Sequence, residues 1–258
     1  LACLPYGFQG PYPAFYENLN IQEKKIEADH KTENNYEVVK NYINTLKPKK
    51  VFLFAAGAVY GGAKALQHHF YGIGTPQGAI DFLQSEGIKL DPILLSQKMS
   101  YDIAEDIVYG NYKQPNFEDE QEYLEAISLD KGPFSKGGNF YISDEDQVDL
   151  TRLLMIARQR QSEWQNRKNI TSNSVFFIDV GQAELYRLTL GDNSVARVPE
   201  NMIDDEAYEI FRMPYSLLVA LLTRHYNFSN VKTQHMTFFR KPNVFNPDLH
   251  ILMSFLQI

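Results

Sequence analysis

Between Pro13 and Pro48 the chain carries neither glycine nor proline, and this unbroken run fixes how the fold begins. From Ile21 onward, Tyr36, Val39, Tyr42, Ile43 and Leu46 recur at helical spacing and predict one long helix. Its first half is densely charged and predicts a solvated surface, and Pro48 closes it. Upstream, three prolines and two glycines within the first thirteen residues exclude a helix. "LACLPYG" therefore reads as a buried strand running into the aromatic loop "YGFQGPYPAFY". Downstream, Val51–Phe54 is short and continuously apolar, which predicts a strand buried on both faces, ended by Gly57, Gly61 and Gly62. Strand, long helix, strand is a βαβ pattern, and it places two parallel strands side by side.

Further along, "GTPQGAIDFLQSEG" predicts a short helix capped by Thr75, opened by Pro76 and stopped by Gly87. "IKLDPILLS" reads as extended. Residues 100–141 are acidic and tyrosine-rich, with one helix expected around Glu118–Ile127, and "DKGPFSKGGNFYIS" reads as a linker. Ser143 and Asp146 resemble a capping box ahead of a helix with Leu150, Leu153, Leu154, Ala157, Gln161 and Trp164 on one face. The pattern then changes. "SVFFIDV", "AELYRLTL", "VARV", "EAYEIFRM" and "KTQHMTFFRK" predict strands, the first three joined by hairpins. "EAYEIFRM" alternates as a half-buried strand does, "YSLLVALLTRHY" is an apolar helix, and the last residues begin another. The expected domains are 1–131, of α/β class, and 142–258, of α+β class.

A formal charge of −7 with no basic stripe argues against nucleic acid or an anionic membrane as partner. No apolar run is long enough to span a bilayer and no signal peptide stands out, so a cytoplasmic setting is expected. A single cysteine, Cys3, excludes an intrachain disulfide and a multi-thiolate metal site, and its apolar surroundings predict burial. The ends, "LACLPYG" and "HILMSFLQI", suggest a piece of a longer protein. No phosphate loop, dinucleotide fingerprint, nucleophile elbow or zinc-protease motif occurs. His68 and His69 are adjacent and point apart, and His30, His225, His235 and His250 have no metal-ligand spacing, so each reads as a surface or satisfied core histidine. Trp164 and the Tyr36/Tyr42 stripe read as core. The loop "YGFQGPYPAFY" holds more aromatics than a solvated turn needs, which leaves a packed lid or a ligand-facing loop at a strand end.

The order "LACLPYGFQGPYPAFYENL", charged helix, "LKPKKVFLFAAGAVYGG" resembles the second half of a metallo-β-lactamase-fold domain. It is most similar to the branch of the CMP-N-acetylneuraminate hydroxylases. Gly7-Phe8-Gln9-Gly10-Pro11-Tyr12-Pro13 matches that branch's glycine-rich turn after a strand. Leu46-Lys47-Pro48 and Ala56-Gly57 match its later Leu-x-Pro and Ala-Gly, and the likeness runs through roughly residues 1–110. The resemblance implies an αββα sandwich, of which this chain supplies the second half plus an α+β extension. It implies a metal-dependent hydrolase or oxygenase acting on a nucleotide-sugar-like substrate. The H-x-H-x-D-H segment that supplies most of the family's metal ligands is absent here, and Ala58 stands near where a late histidine is expected. No metal ligand is therefore assigned to this chain, and zinc or iron belongs to the complete protein. Tyr6, Gln9, Tyr12 and Tyr60 are the expected substrate-facing wall. The expected partner is the missing first half or a second copy, covering an exposed sheet face. The alternative is a non-catalytic binding or scaffold module that has lost its metal.

Overall fold

The computed structural model describes residues 1–8, 10–54, 59–113, 116–129, 132–134 and 136–258. The chain is of mixed α/β class and divides into two compact units. The first holds Leu1–Ala14 and Ile21–Leu129. The second holds Phe15–Asn20 and Asp130–Ile258.

The first unit opens with β1 (Ala2–Pro5), α1 (Ile21–Leu46) and β2 (Val51–Phe54). β1 and β2 are parallel with Cys3 opposite Phe52, as the βαβ pattern predicts, and β3 (Pro92–Ile93) extends the sheet beside β2. Only one face of β1 and β2 is fully covered. Leu4, Val51 and Leu53 are buried, whereas Cys3 and Phe54 on the other face are exposed. The expectations of a doubly buried β2 and a buried Cys3 are corrected accordingly. Continuous apolarity reports that a strand is hydrophobic on both sides, not that both sides are covered. On α1, Tyr36, Val39 and Ile43 are buried as the periodicity requires, while Tyr42 and Leu46 at its margin are exposed.

A 3-10 helix (Gly62–Phe70) follows, then α2 (Pro76–Ser85), whose Thr75 hydroxyl accepts from the Gly78 amide at 3.0 Å. Between them Gly72 and Gly74 adopt φ of +67° and +64°. A Cβ on Gly72 would lie 2.7 Å from the Ala28 carbonyl oxygen, and one on Gly74 would collide with the Tyr36 hydroxyl. The missing side chains let this turn lie directly on α1. A hairpin, β4 (Ser100–Asp102) with β5 (Ile107–Tyr109), replaces the loop expected there. It precedes α3 (Phe117–Ser128).

In the second unit, Ser143 bonds Asp146 at 2.5 Å, but this closes only a 3-10 turn (Asp144–Asp146). The long helix α4 (Leu150–Arg167) is capped instead by Asp149. Five strands follow: β6 (Val175–Asp179), β7 (Leu185–Thr189), β8 (Val195–Val198), β9 (Tyr208–Arg212) and β10 (Thr237–Lys241). They form a sheet in the order β10-β9-β6-β7-β8, antiparallel except where β6 meets β9. Glu209, Ile210 and Phe211 are buried in succession, so central β9 is covered on both faces rather than one. The helices are α5 (Tyr215–Leu222), α6 (Phe228–His235) and α7 (Pro247–Met253). α6 takes the first half of the segment expected to be one strand, with Asn227 as its cap.

Phe15–Asn20, far upstream in sequence, belongs to this second unit. The Glu17 amide donates to the Phe238 carbonyl at 2.7 Å, and the Phe238 amide donates to that of Phe15 at 2.9 Å. Tyr16 stacks on Phe238, and both are buried. Part of the aromatic excess in the N-terminal loop is thus core for the C-terminal unit. Trp164, expected in the core, is 38% exposed and stacked on Phe255.

Candidate functional site

Within the first unit, the chain leaving β1, the face of α1, the 3-10 helix, the Gly72–Pro76 turn and α3 enclose a cavity of about 610 Å³. That volume is of ligand size. Its polar lining includes Tyr6, Tyr71, Thr32, Thr75, His68 and the carboxylates of Asp29, Asp119 and Glu120. Among the described lining residues there is no lysine or arginine.

Tyr6 follows β1 directly and is buried, which pushes its phenol up to about 12, with smaller contributions from Tyr112 and Tyr36. It is therefore a neutral hydroxyl at pH 7. His68 and His69 diverge as adjacent residues must. His68 Nε2 lies 3.3 Å from Glu120 Oε1, and His69 Nε2 lies 3.1 Å from Gln121 Oε1. Burial lowers the His68 pKa, against the opposing pull of Glu120. The ring is neutral at pH 7, so Nε2–H donates to the carboxylate and Nδ1 keeps a lone pair. That Nδ1 is buried with no hydrogen-bond partner among the described residues.

Tyr71 of the wall meets Tyr60 behind it edge-on at 4.6 Å, and both are almost fully buried. Burial raises both phenols. Tyr60 donates to the Gly10 carbonyl at 3.3 Å. Lys31 of α1 ties the same region together. Its Nζ donates to the carbonyls of Tyr12 at 2.8 Å, Tyr71 at 2.9 Å and Gly10 at 3.5 Å, and lies 5.0 Å from the Tyr71 ring centre. Burial draws its pKa down to about 8, which still leaves it charged at pH 7.

Of the three expected site residues that are described, Tyr6 lines the cavity and Tyr12 and Tyr60 do not. Tyr60 supports the wall from behind, and Tyr12 reaches it through its carbonyl on Lys31. Gln9 lies outside the described residues, as do Ala55–Ala58, where the missing histidine was noted. Sequence reading missed His68, Tyr71, Thr75 and Glu120. Only Thr75 carried a local signal, as a helix cap. The residues present do not fit a metal, because among those described no three His, Cys, Asp or Glu gather where they could hold one. Among the described residues no helix is long and apolar enough to cross a membrane. No family model, no curated protein and no solved structure matches this chain.

Proposed function

We propose that the first unit is the ligand-facing wall of a pocket for a small polar molecule, as the second half of a metallo-β-lactamase-like domain. The observation that carries this reading is the 610 Å³ cavity reached from the end of β1, with Tyr6, His68 and Glu120 on its wall. The neutral Tyr6 phenol, the neutral His68 ring, two threonine hydroxyls and three carboxylates offer both donors and acceptors without a net positive charge. Such a lining suits the hydroxylated part of a nucleotide-sugar-like ligand better than its phosphates. Hydrolase or oxygenase chemistry would need metal ligands from elsewhere, so no reaction step is assigned to this chain. The partly exposed face bearing Cys3, Phe52 and Phe54 supports a partner sheet, the first half of the fold, laid against it.

The test is titration of the chain with CMP-N-acetylneuraminate, followed by NMR. Saturable shifts should gather at Tyr6, His68 and Thr75. Tyr6→Phe and His68→Ala should each weaken binding by about tenfold, the value of one buried hydrogen bond to a polar ligand. Shifts that gather elsewhere, or no binding at millimolar ligand, would remove the reading. The alternative is a non-catalytic binding or scaffold module that has lost its metal. It predicts that the chain paired with its partner sheet contains no stoichiometric zinc or iron by elemental analysis.

A further inference from the structure

The second unit holds a buried cation whose bonding is incomplete. Arg158, on α4, is 1% exposed. Its Nε donates to the Thr189 carbonyl at 2.9 Å, and its Nη2 donates to the Leu190 carbonyl at 2.8 Å and to Gln165 Oε1 at 3.0 Å. These bonds clamp the end of β7 to α4 and use three of the five guanidinium hydrogens. The two on Nη1 have no partner among the described residues. No described carboxylate lies within ion-pair distance of this guanidinium. Asp192 acts on it from further off, and its Oδ1 accepts from the Ser194 amide at 2.7 Å and hydroxyl at 2.6 Å. A clamp alone does not call for a permanent charge, and burying one unpaired is costly.

Arg158 also lines a cavity of about 440 Å³ between the C-terminal half of α4 and the loops 170–173 and 190–193. The lining includes Gln165, Ser172, Asn173 and Asn193, all uncharged hydrogen-bonding side chains, with Asp192 as a carboxylate on the wall. Gln165 is held in place from both ends, accepting from Arg158 and donating to the Ser172 carbonyl at 3.2 Å. At Gly191 the two loops close on each other, since a Cβ there would lie 2.8 Å from Asn173 Oδ1.

We propose that Arg158 anchors a binding site for a small oxyanion, a carboxylate or phosphate group, in this cavity. The anion supplies the missing countercharge and the acceptors for Nη1, while the amide and hydroxyl side chains around it contribute donors. The Asp192 carboxylate opposes the anion and limits affinity. The site is independent of the first unit's cavity and stands or falls without it.

The test uses the intact chain at constant ionic strength, with the Arg158 Nε–H and the Gly191 and Asn193 amides as NMR reporters. Inorganic phosphate and acetate are the two probes, and their relative affinity separates a phosphate site from a carboxylate site. Acetamide, neutral and of the same shape as acetate, is the control. Saturable shifts with at least one oxyanion and none with acetamide are expected. Arg158→Met should weaken binding about tenfold or more, and Asp192→Asn, which keeps an acceptor for Ser194, should tighten it. The proposal is overturned if neither oxyanion saturates the reporters, if acetamide shifts them equally, or if folded Arg158→Met binds as before. Should Arg158→Met fail to fold, the acetate–acetamide contrast in the unaltered chain decides the matter.

Discussion

Lys31 shows how one side chain answers two opposing demands. Burial disfavours its charge and lowers its pKa to about 8, while the carbonyls of Tyr12 and Tyr71 need a donor. Because the folded pKa lies below the unfolded one, the unfolded chain binds the extra proton between about pH 8 and 10. Stability therefore rises with pH through that window and is flat below it. Tyr6 acts in the opposite sense higher up: its raised pKa means stability is kept up to about pH 10 and lost as pH climbs toward 12. In urea unfolding, the difference between the native chain and Lys31→Met should carry the first slope, amounting to about 1 kcal/mol after allowance for solvent screening. A difference independent of pH would contradict it. Glu209 and His250 form a second buried constellation, with His250 Nε2 at 3.0 Å from Glu209 Oε1 and the Tyr16 hydroxyl donating to the same oxygen at 3.2 Å. Glu209→Ala removes the acceptor that both side chains share and should cost roughly 3 kcal/mol or more, whereas Tyr16→Phe should cost about 1 kcal/mol. Equal costs from denaturant curves would mean the carboxylate is not the hub.

At the scale of elements, α2 depends on features its own sequence displays. Thr75→Ala removes the cap and should lower stability by about 1 kcal/mol, read as a shift in urea midpoint. Gly72→Ala should cost more, about 2 kcal/mol or above, because a positive φ and a close approach to Ala28 both penalise the added methyl. The Thr75 cap was legible because capping chemistry is local, whereas the role of Gly72 rests on its approach to Ala28, 44 positions upstream. α4 marks the limit. Its period was read correctly from Leu154, Ala157 and Gln161, but the same buried stripe includes Arg158 and Gln165. A cation on an apolar stripe was the available clue, yet what it bonds lies about thirty residues away at Thr189 and Leu190. The hairpin β4–β5 and helix α6 were missed for a related reason, since short segments carry too few repeats for a period to stand out.

For the whole molecule, the βαβ start and the mixed α/β class were readable from the order of elements. What covers each face was not, because exposure is set by neighbours distant in sequence. Cys3, Phe54 and Trp164 all read as core and all are exposed. The uncovered face of β1 and β2 makes a direct prediction. Cys3 should react with a maleimide at nearly the rate of a free cysteine in the isolated chain, and become protected when a partner sheet binds. Slow labelling of the isolated chain would mean that something already covers that face, a second copy above all.

The membership of Phe15–Asn20 in the second unit bears on how the protein is made. Thr237 donates to Glu17 at 2.7 Å across 220 positions, and Arg212 pairs with the same carboxylate across 195. A ribosome releases Glu17 220 residues before Thr237. The second unit therefore cannot close until Thr237 and Phe238 have been made, and Phe15–Asn20 must wait for β10. Excising residues 1–20 would spare nearly all of that unit's sequence and still strip β10 of the Phe15–Glu17 segment bonded to its outer side.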